Sequence, residues 1–169
     1  SPEEFDPYLN RGIAEELLKR WEEAENDYNF VISHDPFNSS ALYNLGNIFG
    51  SNGDWTKAGA FYKKASVARP DFVMARSNEA LVAYQLGELE DAEDEFRKLI
   101  RRYPMFADAR AALSALLWRR GLSGEAESNW AAAVGLDSRY KQENWLIEIR
   151  RWPPKPTSDL MAFLSLERP

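Results

Sequence analysis

Apolar residues recur along the chain at the spacing of amphipathic helices. One run places Leu42, Leu45 and Phe49 at three- and four-residue intervals, which is one face of a helix. Gly53 follows this run, and Pro70 lies after the next helical stretch. Glycine tolerates the positive φ that often ends a helix, and proline lacks the N–H that a helix interior needs. The pattern therefore predicts pairs of helices, each joined by a turn and ended near a proline.

The helix pairs repeat with a fixed period. Pro36, Pro70 and Pro104 are 34 residues apart, and Asp137-Ser138 continues the register without a proline. Three more columns share this spacing, one of small residues, one of alanines and one of aromatic residues: Gly12, Gly46, Ala80, Ser114; Ala24, Ala58, Ala92, Ala126; Tyr28, Tyr62, Phe96, Trp130. Several columns in one register indicate a repeated structural unit.

The unit resembles the tetratricopeptide repeat (TPR), whose signature is W-x2-L-G-x2-Y, then A-x3-F, then P. The second unit matches best, with Leu42-x2-Leu45-Gly46-x2-Phe49, then Ala58-x3-Tyr62 and Pro70. The other units depart from it at the first position, where Tyr8, Arg76 and Arg110 stand. The resemblance implies an all-α TPR solenoid. It covers residues 5–140 as four units: 5–38, 39–72, 73–106 and 107–140.

Each position in the unit has a physical reason. Gly53, Gly87 and Gly121 are expected to end the first helix of units two to four with positive φ. The alanine column marks a close crossing of two helices, and the aromatic column fills the adjacent space. A single unit cannot bury its own apolar face, so the core forms only between neighbours.

The C-terminal segment is expected to cap the array. Residues 141–152 are predicted to form one helix with an apolar face and a solvent face: Trp145, Leu146, Ile149, Trp152; Gln142, Glu143, Glu148, Arg150. Residues 153–169 are predicted to be a proline-rich turn that breaks this helix, followed by a short apolar helix over Ser158–Leu166. Thr157 or Ser158 is the expected N-cap of that last helix.

The resemblance also implies where a ligand binds, because the first helices of TPR units line a concave groove. Asn10, Asn44 and Asn78 stand 34 residues apart, as a ladder of amides that suits the backbone of an extended peptide. Asparagine is equally a common frame residue at this position. The other expected groove residues grade from polar to apolar toward the C-terminus: Asn47, Leu81, Tyr84, Gln85, Trp118, Arg119. For Trp118, packing against the C-terminal helices is an equal alternative.

A chaperone-type carboxylate clamp does not fit the groove. Such TPR clamps hold the acidic tail of Hsp70 or Hsp90 with asparagines and cationic residues. Asn47 and Asn78 match the asparagines, but Tyr43, Asp108 and Ala112 stand where cations belong. A carboxylate there would lose its charge-assisted hydrogen bonds. The chain is therefore not expected to be an Hsp70 or Hsp90 adaptor.

The last apolar helix has a possible place within the fold. It is expected to fold back over the C-terminal half of the groove, as an occupant that a partner displaces. The gain from burying its apolar side chains and the cost of ordering it are close.

Composition narrows the chemistry. The 169 residues carry a net charge of −6 and no cysteine, which disfavours nucleic-acid binding and excludes disulfides and thiolate metal sites. No run is long enough to insert into a membrane. His34, the single histidine, has no catalytic or ligating partner at a motif spacing. No catalytic residue, cofactor or metal site is expected.

The expected function is a non-enzymatic scaffold or assembly factor that holds a partner protein in its groove. The alternative is a regulatory or substrate-recruiting TPR part of a larger enzyme or membrane protein. Arg150-Arg151-Trp152-Pro153-Pro154, followed by Phe163-Leu164-Ser165-Leu166, is similar to the C-terminal extension of cyanobacterial and chloroplast TPR proteins. That resemblance implies photosynthetic-complex assembly or tetrapyrrole regulation, in a soluble chloroplast or cyanobacterial protein.

Overall fold

Helices form nearly the whole of the computed structural model, which describes residues 2–166. A 3-10 helix, Pro2–Phe5, precedes the first α-helix. Eight α-helices follow in four pairs, and two more lie in the C-terminal segment: α1 Asp6–Leu17, α2 Trp21–His34, α3 Ser39–Ser51, α4 Trp55–Ala68, α5 Val73–Leu86, α6 Leu89–Arg102, α7 Ala107–Arg119, α8 Ser123–Leu136, α9 Glu143–Glu148 and α10 Pro154–Ser165.

The turn inside each pair has the same geometry. Gly53, Gly87 and Gly121 have φ of 78°, 88° and 79°, which confirms the expected left-handed helix ends. The first pair has no glycine there, and Lys19 takes the same conformation with φ of 59°. In all four turns this residue's N–H and the next N–H bond to carbonyls of the helix just ended. The backbone geometry of the turn is therefore kept where the glycine is absent.

The small-residue column is explained by the aromatic column. A Cβ built on Gly12 would lie 2.5 Å from Cε1 of Tyr28, and one built on Gly46 would lie 2.5 Å from Cε1 of Tyr62. Both tyrosines are fully buried. The second helix of each of these pairs thus lays a ring directly on the backbone of the first, which is possible only over glycine.

Contacts divide the chain into two units, Ser1–Arg76 and Ser77–Pro169. The N-terminal unit contains α1 to α4. Its apolar interior includes Ala24, Leu45 and Ile48, with a smaller cluster around Leu42 and Ala65. The C-terminal unit contains most of α5 and α6 to α10. Its interior runs from α5 to α10: Tyr84, Phe96, Leu113, Leu116, Trp130, Leu146, Trp152, Leu160 and Phe163.

The C-terminal segment differs from the predicted single helix over 141–152. A 3-10 helix, Ser138–Lys141, leads into α9, which ends at Glu148. Trp145 and Leu146 turn inward as expected, whereas Ile149 is 57% exposed. Arg150, assigned to the solvent face, is buried. α9 ends at Glu148 with Ile149 as its C-cap, and Arg151, at φ of 59°, turns the chain away from the helix.

The proline-rich stretch lies at the start of the last helix and does not form a separate turn before it. Pro153 is the N-cap of α10 and Pro154 its first residue, four residues before the predicted start at Ser158. Proline is well suited to the first turn, where its missing N–H has no intrahelical partner to lose. The predicted cap by Thr157 or Ser158 is wrong, since the Thr157 hydroxyl instead donates back to the carbonyl of Pro153 at 2.8 Å. Residues 167–169 of the predicted tail lie outside the described residues.

Candidate functional site: the inner faces of the first helices

The amides predicted to line the groove differ in exposure. Asn10 on α1 is exposed, Asn44 and Asn47 on α3 are buried, and Asn78 on α5 is 2% exposed. Asn47 also has a task within the N-terminal unit, because its Oδ1 accepts a 2.9 Å hydrogen bond from the Tyr62 hydroxyl. Contact of these amides with a partner stays a prediction.

The buried tyrosine of the first helix pair donates to a carboxylate, whereas that of the second donates to an amide. Glu16 on α1 accepts a 2.6 Å hydrogen bond from the Tyr28 hydroxyl, and both side chains are buried. Arg11 on the same helix bonds both carboxylate oxygens of Asp27. These contacts fix the polar part of α1 to α2.

Two apolar side chains of α1 remain outside this framework. Ile13 is 45% exposed and Leu17, one turn further on, is 73% exposed. Because they are four residues apart, they lie on one side of the helix together with the preceding turn's Asn10. This side of α1, which is predicted to line the groove, therefore exposes an amide beside two aliphatic side chains.

In the C-terminal unit, the corresponding face is covered by the chain itself. α10 packs against α7. Leu160 and Phe163 of α10 are buried, and the Phe163 ring lies 6.5 Å from the Trp118 ring, between their centroids. The Phe163 ring also meets the edge of Trp130 of α8 at 6.5 Å. The packing alternative for Trp118 is thus the observed arrangement.

Polar contacts surround this apolar centre. Asp159 Oδ2 accepts hydrogen bonds from the Tyr84 hydroxyl at 2.6 Å and from Arg119 Nη1 at 3.0 Å. The backbone N–H of Lys155 donates to Gln85 Oε1 at 2.7 Å. Four predicted groove residues, Tyr84, Gln85, Trp118 and Arg119, are therefore brought together under α10, and we call these four the α10-docking face.

The electrostatics of Tyr84 follow from this position. Burial, and after it the hydrogen bond to Asp159, raises the pKa of the Tyr84 hydroxyl well above its usual range. The hydrogen bond to Asp159 likewise raises the pKa of Arg119. Tyr84 therefore stays a neutral donor to the Asp159 carboxylate, and Arg119 stays a cation that compensates its charge.

A second cluster of hydrogen bonds centres on a buried carboxylate. The sequence pattern had placed this residue in an open groove. Asp108 is 0% exposed. It accepts hydrogen bonds from Tyr140, Arg150 and Trp152 on Oδ1 and from the Ser77 hydroxyl on Oδ2. The Asp108–Arg150 ion pair has an N–O distance of 2.8 Å. We call these residues the Asp108 cluster.

Sequence reasoning missed this cluster. The sequence pattern places Asp108 at a cationic position of the clamp in the groove, and Arg150 on the solvent face of the capping helix. A buried charge needs a partner, but the partners lie 31 to 44 positions away in the chain, outside any short motif. The remaining signal is Asp108 itself, because an acidic residue in the alanine-rich stretch of α7 is out of pattern.

No arrangement of side chains that could hold a metal ion is found within the described residues. No group of three or more His, Asp or Glu side chains in that range is placed to hold a metal ion. His34 lies 4.5 Å from the Phe30 ring, and its Nδ1 is 2.9 Å from both the Phe30 carbonyl and the Ser33 hydroxyl. Along the described part of the chain, no helix is long and apolar enough to cross a bilayer.

Comparison with known proteins agrees with this architecture. A curated relative, the Photosystem I assembly protein Ycf3 of Acaryochloris marina (strain MBIC 11017), is 28% identical over 142 residues, 82% of this chain and 75% of the relative. The solved structure of Pseudomonas aeruginosa pilF superposes with a TM-score of 0.73 at 16% identity, covering 96% of this chain and 76% of the other. YrrB, described as a TPR protein with an unusual peptide-binding site, gives 0.66 at 18% identity, covering 95% and 82%.

Four successive helix pairs with glycine-type turns and ring-on-small-residue packing define an all-helical repeat solenoid. The family model for the tetratricopeptide repeat matches residues 9–71 and 77–140. The chain therefore belongs to the tetratricopeptide-repeat family, and it is a scaffold for protein interaction.

Proposed function

We propose that this scaffold binds a segment of a partner protein on the inner faces of its first helices, without catalysing a reaction. The observation that supports this is the seat of α10 on α7. There a helical segment is held by a buried aromatic–aliphatic centre, an ion pair and a backbone hydrogen bond. Those are the elements of helix-in-groove recognition. On α1, Ile13 and Leu17 stay exposed among the described residues.

The proposed contact region in the N-terminal unit is built on α1 and α3. Leu17 and Ile13 supply apolar contact, and Asn10 supplies amide donors and an acceptor for the partner's backbone. Asn44 and Asn47 flank this region on α3. Contact of Asn47 with the partner would use its amide N–H groups, because Tyr62 already donates to its oxygen.

A matched pair of charge substitutions tests this region. Leu17→Glu places a charge on the proposed face, whereas Val67→Glu places the same charge on α4, where Val67 is 69% exposed. We expect Leu17→Glu to reduce partner recovery in co-purification by at least about tenfold, and Val67→Glu to leave it unchanged. Equal recovery with both variants, at equal thermal stability, would place the contact elsewhere.

We further propose that the partner belongs to a photosynthetic complex under assembly. The support is the relative in Acaryochloris marina, which is a Photosystem I assembly protein and matches 82% of this chain. Affinity capture from detergent-solubilised thylakoids, followed by mass spectrometry, is the test. The proposal expects photosystem subunits with wild type and their loss with Leu17→Glu. Capture that contains no photosynthetic protein would contradict it.

Binding of an Hsp70 or Hsp90 tail is not part of this proposal. Asp108, at a cationic position of the chaperone clamp, is already paired with Arg150. A titration with the acidic C-terminal peptide of either chaperone should therefore show no saturable binding at about 100 μM, a concentration well above that of micromolar complexes.

A further inference from the structure

α10 is bound in the manner of a ligand. Its contacts with the α10-docking face combine a buried centre with a partly open rim. Leu160 is 0% exposed and Phe163 6%, whereas the ion pair at the rim joins Asp159, whose side chain is 19% exposed, to Arg119 at 44%. An apolar anchor with a polar, partly exposed rim is the anatomy of a protein–protein interface.

The residues that make these contacts form a short pattern. An aspartate is followed by leucine at the next position and by phenylalanine four positions after the aspartate: Asp159, Leu160 and Phe163. The three side chains lie on one side of the helix, because residues three and four apart are neighbours on its surface. On the face that they contact, Tyr84 and Arg119 both donate to Asp159, and the ring of Trp118 packs near Phe163.

The segment before α10 is held differently. The Asp108 cluster fixes Arg150 and Trp152, which are 6% and 2% exposed, so the chain up to Trp152 is part of the core. α10 begins directly afterwards with Pro153 as N-cap, and in its first turn the N–H of Lys155 donates to Gln85 of the α10-docking face. Pro153 therefore lies between the segment held by the Asp108 cluster and the helix held by the α10-docking face.

We propose that the α10-docking face is a binding site for an amphipathic helix of a partner protein, and that α10 occupies it as an internal competitor. Like α10, the partner helix carries a carboxylate, a leucine at the next position, and an aromatic residue four positions after the carboxylate. Charge complementarity fixes the carboxylate, since Arg119 and the neutral hydroxyl of Tyr84 both donate to it. This inference rests on the proposed scaffold function and names a partner class for the C-terminal unit.

Competition makes the site measurable in the full chain. A tethered helix competes at an effective concentration of roughly millimolar, so an outside helix binds only in proportion to the fraction of chains in which α10 is undocked. Loosening α10 without altering the face should raise that fraction and tighten apparent binding. The probe is a fluorescein-labelled peptide of residues 153–166, followed by anisotropy.

The loosened variant is the full chain with Asp159→Ala and Phe163→Ala, and Ser158→Ala is its control because Ser158 is an exposed residue of the same helix. We expect the double variant to bind the wild-type peptide at least about tenfold more tightly than wild type does, with the control unchanged. Adding Arg119→Ala to the double variant should remove most of this gain. A peptide carrying the same two alanines should bind at least about tenfold more weakly.

Two results would overturn the proposal. One is equal affinity of wild type and the double variant for the peptide, with both folded by circular dichroism. The other is a concentration-dependent dimer, seen by light scattering and dissociated by the peptide, which would assign the face to α10 of a second copy. The proposed function is tested separately by partner capture with Leu17→Glu. If this variant loses capture but the peptide still competes with α10, the two proposals are shown to be independent.

Discussion

At the scale of single residues, the glycine under the Tyr62 ring is the position with least freedom. A methyl group at Gly46 would lie 2.5 Å from Cε1 of Tyr62, and this ring is fixed by burial and by its hydrogen bond to Asn47. We expect Gly46→Ala to lower the free energy of unfolding by about 1–3 kcal/mol, measured by urea denaturation. Gly124→Ala is the control, since nothing lies within 4 Å of its Cβ, and a comparable loss there would contradict the packing argument.

Lys19 occupies the turn position that is glycine in the other three pairs. Its φ of 59° costs a residue with a Cβ about 1–2 kcal/mol, and the extra freedom of glycine in the unfolded chain offsets about 0.5–1 kcal/mol of this. Lys19→Gly should therefore raise the free energy of unfolding by up to about 1 kcal/mol in thermal or urea denaturation. Gly53→Ala should lower the free energy of unfolding. If Lys19→Gly is less stable than wild type, the positive φ of Lys19 does not strain the turn.

These residues also show what the sequence could predict. The glycine turns, the helix pairs and the small-residue column follow from local rules repeated four times, so their register was visible without coordinates. Lys19 was not visible as a turn residue, since its side chain gives no sign of the backbone conformation that the neighbouring repeats impose. Asp108 was misplaced for a different reason, because its partners lie far along the chain.

At the scale of elements, the Asp108 cluster connects α7 to the segment that precedes α10. Asp108→Asn removes the charge that compensates the buried Arg150, and breaking one side of a buried pair costs about 3–5 kcal/mol. We expect a loss of this size in the free energy of unfolding, measured by urea denaturation. Arg139→Ala is the control, since Arg139 is 61% exposed in its pair with Asp137 and its loss should have a far smaller effect. Similar losses would mean that burial does not matter here.

The docking of α10 should also depend on alkaline pH. The pKa of Tyr84 is raised above its usual value of about 10, so above that pH the unfolded chain releases a proton that the folded chain retains. The free energy of unfolding then falls as pH rises, by about 1.4 kcal/mol per pH unit for each such group. Tyr140, whose pKa is raised by burial and by the charge of Asp108, adds a second contribution of the same sign.

Tyr84→Phe separates the contribution of this tyrosine from general alkaline effects. Urea denaturation at pH 9, 10 and 11 should give a shallower decline for Tyr84→Phe than for wild type. Tyr140→Phe should also flatten the decline, and the two substitutions together should flatten it further. If the free energy of unfolding falls equally with pH in wild type and Tyr84→Phe, ionisation of Tyr84 does not contribute to the alkaline loss of stability.

At the scale of the whole molecule, a repeat array gains stability from each unit and its nearest neighbours. Contacts in this chain divide at Arg76 and Ser77, with separate apolar interiors on either side. A local fault should therefore be felt mainly in its own unit. This differs from a two-state domain, in which every part opens together.

Hydrogen exchange with mass spectrometry tests this property with the two destabilised variants already described. Gly46→Ala should speed amide exchange in α3 and α4 by about tenfold for each 1.4 kcal/mol lost, and leave α7 and α8 much less affected. Asp108→Asn should show the reverse pattern, with faster exchange in α7, α9 and α10. If either variant accelerates both units equally, the chain opens as one cooperative body. The internal competition proposed for α10 would then need global unfolding, whereas exchange confined to the C-terminal unit leaves that competition available to the folded protein.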